Sequence, residues 1–130
     1  MTADEYIAHA EGTDCLEQAR AVAALLAAEG KKPWIGMLRE VEERPTGRFH
    51  LPLIPRHFRG ERLPAWTTHY VGCCDGYAYD PLLGRPEPGD IFDDAIRPRD
   101  SDHGMTFALE VMVNGKTITE ISSPRRRCRL

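Results

Sequence analysis

Two dipeptides, Asp75-Gly76 and Asn114-Gly115, limit the folds open to this chain more than any other feature. The first lies between the strand-like runs "AWTTHYVGCC" and "YAYD", the second between "MTFALEVMV" and "KTITEI". Asp-Gly and Asn-Gly are among the strongest two-residue hairpin signals, so each predicts a tight antiparallel pair. A further run, "PWIGMLREV" from Pro33, reads as a strand followed by a turn at "RPTG", residues 44 to 47.

The N-terminal part reads as helix. Thr2 and Glu5 have capping-box spacing and Gly12 supplies a stop, which predicts a short helix over 2–11. A second helix starts at the N-cap Asp14, with Glu17 at the third helical position, and runs through "CLEQARAVAALLAAE" to Gly30. Between Ala21 and Ala28 it is apolar on every side, which predicts a central helix enclosed by protein. Helices early and an antiparallel sheet late give an α+β architecture.

Residues 48–65 hold three prolines and four arginines in no regular pattern, and residues 81–102 are rich in Pro, Gly and Asp. Both read as long loops, the second with one helical turn near Ile91. The tail beyond Pro124 reads as frayed. A chain of 130 residues without internal repeats or a linker is expected to form a single domain over 1–130.

Composition narrows the partners. The net charge is −3, and the basic residues are scattered apart from Arg125, Arg126, Arg127 and Arg129, which argues against nucleic acid. The longest apolar run is too short to span a bilayer, and "MTADEY" lacks the features of a secretory signal. Cys15, Cys73, Cys74 and Cys128 match neither a zinc site nor a disulfide framework, so a reduced cytoplasmic setting is expected. Delivery into a target cell would need a route other than a classical signal peptide.

Cys15 would be the first residue inside the second helix. Unpaired N–H groups and the positive end of the helix dipole favour a thiolate there and could receive an oxyanion forming beside the sulfur. The plainer account of a lone cysteine is a small core residue. His69 bears on that choice. A two-residue turn at 75 and 76 pairs Cys74 with Tyr77, Cys73 with Ala78 and Gly72 with Tyr79. Asp80 then shares a face with His69, on the diagonal, at a Cα distance of roughly 7 to 8 Å. A three-residue loop would put Asp80 on the other face. The alternative is a half-buried histidine beside a turn aspartate, with Asp80-Pro81 merely ending the strand. If the three residues converge, His69 takes the proton of Cys15, Asp80 orients the imidazole, and Cys15 attacks a carbonyl to form a thioester that water or an amine releases.

"DCLEQARAVAALLAAEG", "WIGML" and "THYVGCCDGYAYDP" together resemble the papain-like cysteine hydrolase superfamily, whose members start a central helix at the nucleophile and pack it on an antiparallel sheet. The likeness is nearest to small bacterial papain-fold toxin and effector domains, including glutamine deamidases, and bacteriocin-processing peptidases share the "H-Y-V" and "Y-D-P" elements. It covers roughly residues 13 to 84. The resemblance implies Cys15 as nucleophile, His69 as general base and Asp80 as orienting acid. It also implies a protein or peptide substrate, no cofactor, and a cognate inhibitor or immunity protein for the toxin version. Many papain-like peptidases carry a Gln a few residues before the nucleophile, whereas this chain has neither Gln nor Asn before Asp14. The oxyanion hole would then rest on the Cys15 N–H, with His9 or Thr13 as candidate helpers. Leader peptidases of lasso-peptide pathways share the helix pattern but usually follow the histidine with Ala-Trp, where this chain has Tyr70-Val71.

Other groups carry less. Adjacent cysteines rarely chelate one ion, so Cys73 and Cys74 with His69 make a poor metal site, although Cys73 shares the His69 face and a redox pair with Cys15 is conceivable. His50 and His57 sit among arginines and read as solvated or substrate-facing. "DIFDD" at 90 to 94 lacks the spacing of a calcium loop. Trp34 and Trp66 are expected to pack the sheet or wall a cleft. The rival reading from another class is a non-catalytic papain-like binding protein that recognises a protein partner through the arginine-rich residues 56 to 62 and the Asp-rich segment 90 to 102.

Overall fold

The computed structural model describes residues 1–12, 14–40, 54–60, 64–66, 68–96, 107–113 and 116–122. Both helix starts form as the capping residues dictate. The Thr2 side chain accepts from the Glu5 N–H at 3.1 Å and opens α1 (Ala3–His9). The Asp14 carboxylate accepts from the Glu17 N–H at 3.0 Å and opens α2 (Cys15–Ala28). The strands are β1 (Trp34–Glu40), β2 (Thr68–Cys74), β3 (Tyr77–Tyr79), β4 (Pro86–Pro88), β5 (Phe107–Val113) and β6 (Lys116–Ser122), with α3 (Gly89–Ile96) after β4.

The strands form one sheet in the order β4-β3-β2-β1-β5-β6, with each neighbouring pair antiparallel. Cys74 pairs with Tyr77, Cys73 with Ala78 and Gly72 with Tyr79, the register a two-residue turn requires. Asp75 and Gly76 both take positive φ, at 53° and 82°. The second expected hairpin also forms, from Phe107 opposite Ser122 to Val113 opposite Lys116. The fold is therefore α+β with helices on an antiparallel sheet.

Alternation along β2 divides the core in two. Cys74 and Tyr79 pack with Ala3, Ile7, Val22 and Leu26, the apolar faces of α1 and α2. Val71, Cys73 and Ala78 face the other way and pack with Leu38 and with Phe92 and Ile96 of α3. Helices thus cover both faces of the sheet around β2. The approach of α2 to β2 is close: a Cβ on Gly72 would meet Val22 Cγ1 at 2.6 Å. Glycine at that position lets the helix bed down on the strand.

Two expectations need correction. α2 is not enclosed: it buries Ala19, Val22 and Leu26, whereas Ala24, Ala27 and Ala28 are exposed. Alanine methyls cost little in water, so an all-apolar run can still lie on one face of a sheet. Residues 81–102 are not merely loop with a single turn. Pro86–Pro88 is an edge strand, where prolines without N–H groups are tolerated, and Gly89–Ile96 is an eight-residue helix that buries Phe92, Ala95 and Ile96. The turn at 44–47, residues 48–53 and 61–63 of the loop before Trp66, the Asn114-Gly115 turn and the tail beyond Pro124 lie outside the described residues. Among the described residues no helix is long and apolar enough to cross a membrane.

Candidate active site

The β2–β3 ladder ends at the Gly72–Tyr79 pair, and Asp80-Pro81 follows at once. A proline has no N–H to continue a ladder, so β3 turns away and the outer edge of β2 opens opposite Thr68 and Tyr70. The N-terminus of α2 occupies that opening. Cys15 Sγ lies 4.0 Å from the Thr68 carbonyl oxygen, and the Tyr70 backbone N–H points at the sulfur. Strand edge and helix start together give the thiol a polar, half-buried seat.

His69 stands between those two residues on β2, where alternation sends its side chain to the Val71 side of the strand. The ring is 5 % exposed and its Nε2 lies 2.6 Å from Asp80 Oδ2. Asp80 is 2 % exposed; its Oδ1 accepts from the Leu82 N–H at 2.9 Å and its backbone oxygen accepts from Leu83 and Gly84 at 3.0 Å. Both carboxylate oxygens are thus committed, one to the ring and one to its own turn. With Nε2 engaged by Asp80, Nδ1 is the ring nitrogen left for the sulfur, and His69 is the side chain that hydrogen-bonds Cys15.

The electrostatics follow from that geometry. Burial alone would lower the His69 pKa, but the charge and hydrogen bond of Asp80, helped by Cys15, carry it up to about 10. For Cys15 burial works against ionisation, and the hydrogen bond and charge of His69 with the Tyr70 N–H outweigh it, so the thiol pKa falls below its ordinary value. Asp80 opposes this as the smallest contribution. The two shifts act in the same sense, towards thiolate at Cys15 and imidazolium at His69. Trp66 stacks on the His69 ring with centroids 4.6 Å apart and planes tilted by 33°.

These groups open into a cavity of about 730 Å³ whose wall includes Cys15, Gln18, Arg59, Trp66, His69 and Leu82. Gln18 and Arg59 escaped the sequence reading. Gln18 sits one turn after Cys15, and its amide nitrogen donates to the Glu11 carbonyl at 3.2 Å and the Gly12 carbonyl at 3.5 Å, holding the approach to the helix. Its i, i+3 spacing from Cys15 was the available signal. His9 is not part of the cavity wall, and Thr13 lies outside the described residues.

The other thiols stand apart. Cys73 packs with the α3 core, where burial pushes its thiol pKa up, and Cys74 belongs to the α2 core on the opposite face. Cys15, Cys73 and Cys74 are free thiols, and among the described residues no three His, Cys, Asp or Glu side chains converge as metal ligands. His57 lies on a separate hollow, its backbone N–H bonded to the Ala95 carbonyl at 3.1 Å; His50 and Cys128 lie outside the described residues. Compared with models of protein families, with curated proteins and with solved structures, the chain gives no match.

Proposed function

We propose that the protein is a papain-like thiol hydrolase that cleaves an amide of a protein or peptide through a thioester at Cys15. One observation carries the reading: Cys15 lines an open cavity together with His69, which lowers the thiol pKa and whose Nε2 is held by Asp80 at 2.6 Å. The nucleophile, base and orienting acid are what acyl transfer requires, in mutual reach.

The thiolate of Cys15 attacks the amide carbon, and the C=O electrons move onto oxygen. The Cys15 N–H at the start of α2 receives that oxyanion, with Gln18 bracing the loop behind it, while the Glu17 N–H stays with the Asp14 cap. As the C–N bond breaks, the imidazolium of His69 gives its proton to the leaving nitrogen. Water then loses a proton to His69 and attacks the thioester, which releases a carboxylate and restores the pair. Asp80 holds the ring in one orientation throughout.

The resemblance to toxin and effector domains makes a glutamine side chain of a target protein the leading acyl donor, with a peptide bond as the other version. In the toxin version a cognate inhibitor would cover the opening at Cys15. Incubating the protein with candidate targets, with Cys15→Ala as control, separates the two by mass spectrometry. A gain of about one dalton at a glutamine marks deamidation and new termini mark cleavage. An alkylation-competent thiol that produces neither would leave a binding protein that uses the same cavity.

A further inference from the structure

Arg59 belongs to the stretch whose arginines suggest a solvated or partner-facing charge cluster. Its side chain is engaged within the chain instead. Nε donates to the Pro81 carbonyl at 2.7 Å, and the terminal nitrogens donate to the Ala8 carbonyl at 2.6 Å and the Ala10 carbonyl at 2.9 Å. Its backbone N–H donates to the Leu82 carbonyl at 2.8 Å. Every acceptor is a main-chain oxygen, and they fall into two groups. Ala8 and Ala10 close α1 and lead through Glu11 and Gly12 towards Cys15. Pro81 and Leu82 form the turn whose first residue is Asp80.

The fold makes room for this bridge. Gly84 takes φ +79°, and a Cβ there would meet Arg59 Cδ at 2.7 Å and Nε at 3.0 Å. The arginine stem therefore runs through space that any other residue at 84 would fill. A planar guanidinium presents five donors in a fixed fork and reaches three carbonyls at once; a lysine ammonium is a single point on a flexible stem.

We infer that Arg59 is a positioning residue, one that clamps the segment leading into the nucleophile to the turn bearing the orienting acid and so sets the spacing between Cys15 and His69. It does so through backbone atoms and lines the cavity beside the residues it aligns. A thiol–imidazole hydrogen bond weakens steeply with distance and angle, so a modest drift of either segment loosens the ion pair. The inference rests on the hydrolase reading of Cys15.

The test is the pH dependence of Cys15 alkylation by iodoacetamide in the full chain, read by peptide mass so that Cys73 and Cys74 are counted apart. Wild type should label fast well below pH 8. Arg59→Lys keeps the charge and the stem against Gly84; it should label about tenfold more slowly at pH 6.5, with the profile shifted up by about one pH unit and an unchanged far-UV spectrum. In Arg59→Ala, ethylguanidinium should restore the rate where sodium chloride at equal ionic strength does not, since the guanidinium site is open to solvent. A residue that only stabilised the fold would lower the melting temperature and leave the pH profile in place. A wild-type thiol no faster than a free one would remove the hydrolase reading, and this inference with it. A fast wild type matched by both Arg59 variants would leave that reading standing and overturn the clamp.

Discussion

The imidazole of His69 and the carboxylate of Asp80, eleven residues apart in sequence, meet at 2.6 Å in an interior that nearly excludes water. That contact decides the charge of the ring. Asp80→Asn keeps the shape of the side chain and removes the charge that lifts His69 to about 10, so burial is left to favour the neutral ring. The thiolate then loses its counter-ion. Losing Asp80's own small opposition to the thiolate does not compensate. Alkylation of Cys15 at pH 6.5 should fall by about tenfold or more, and the profile should move towards that of an ordinary thiol near 8.5. His69→Ala should fall at least as far. A wild-type profile in Asp80→Asn would show that the carboxylate does not set the pair.

The same pair makes stability depend on pH, with a sign that can be worked out. The His69 pKa is raised from 6.5 to about 10 on folding, so its contribution is fully present below 6.5 and is lost as the pH climbs towards 10. Cys15 acts in the opposite sense. Its pKa is lowered from 9.0, so its contribution is present above 9.0 and is lost as the pH falls through the folded value. The two partly cancel near neutrality. Cys15→Ala removes the thiol's contribution and the sulfur's share of the contribution from His69. The melting temperature of that variant should decline from pH 7 to pH 9.5 more steeply than that of wild type, and adding Asp80→Asn should flatten the decline. Calorimetry across this range reads both, and a flat Cys15→Ala curve would contradict the assigned charge of His69.

The place of Cys15 at the start of α2 and the meeting of His69 with Asp80 were legible because each used a local rule; the approach of Cys15 to that pair rested on the resemblance. Asp14 fixes where α2 starts, Asp75-Gly76 fixes the hairpin register, and alternation then puts Asp80 beside His69. What stayed hidden depended on long-range packing. Nothing near Arg59 in sequence announces the carbonyls of Ala8 and Ala10, about fifty residues away, because main-chain acceptors carry no side-chain signature. Prolines at 86 and 88 read as loop because their use as an edge strand depends on which neighbour the sheet places beside them. The alanine-rich α2 read as enclosed because apolarity all round does not say how many sides are covered.

Gly72 is where the helix carrying Cys15 touches the strand carrying His69. A methyl group at 72 would lie 2.6 Å from Val22 Cγ1 and 3.4 Å from the Ala19 carbonyl oxygen, and a β-branched side chain on a helix has little freedom to withdraw. Gly72→Ala should therefore cost about 1–3 kcal/mol, as overpacking does in well-filled cores. Val22→Ala alone should also destabilise, by opening a cavity. Combined, the two should cost clearly less than the sum of the single effects, because the clash of one is relieved by the truncation of the other. Urea unfolding of the four proteins measures the coupling, and strict additivity would mean that α2 does not sit on Gly72.

Trp66 offers a direct view of the ring it covers. Its centroid lies 4.6 Å from that of His69, close enough for a protonated imidazole to be held by the indole face and to quench its emission. Because His69 stays protonated up to about 10, Trp66 should be quenched at neutral pH and brighten as the pH rises through that value. Trp34 supplies a background that His69→Ala leaves unchanged, so the difference between the two titrations isolates Trp66. Asp80→Asn should move the brightening to lower pH by at least about one unit, and Trp66→Phe should remove it. If the emission of wild type already rises between pH 6 and 7, His69 titrates as an ordinary imidazole and the ion pair with Cys15 does not exist at neutral pH.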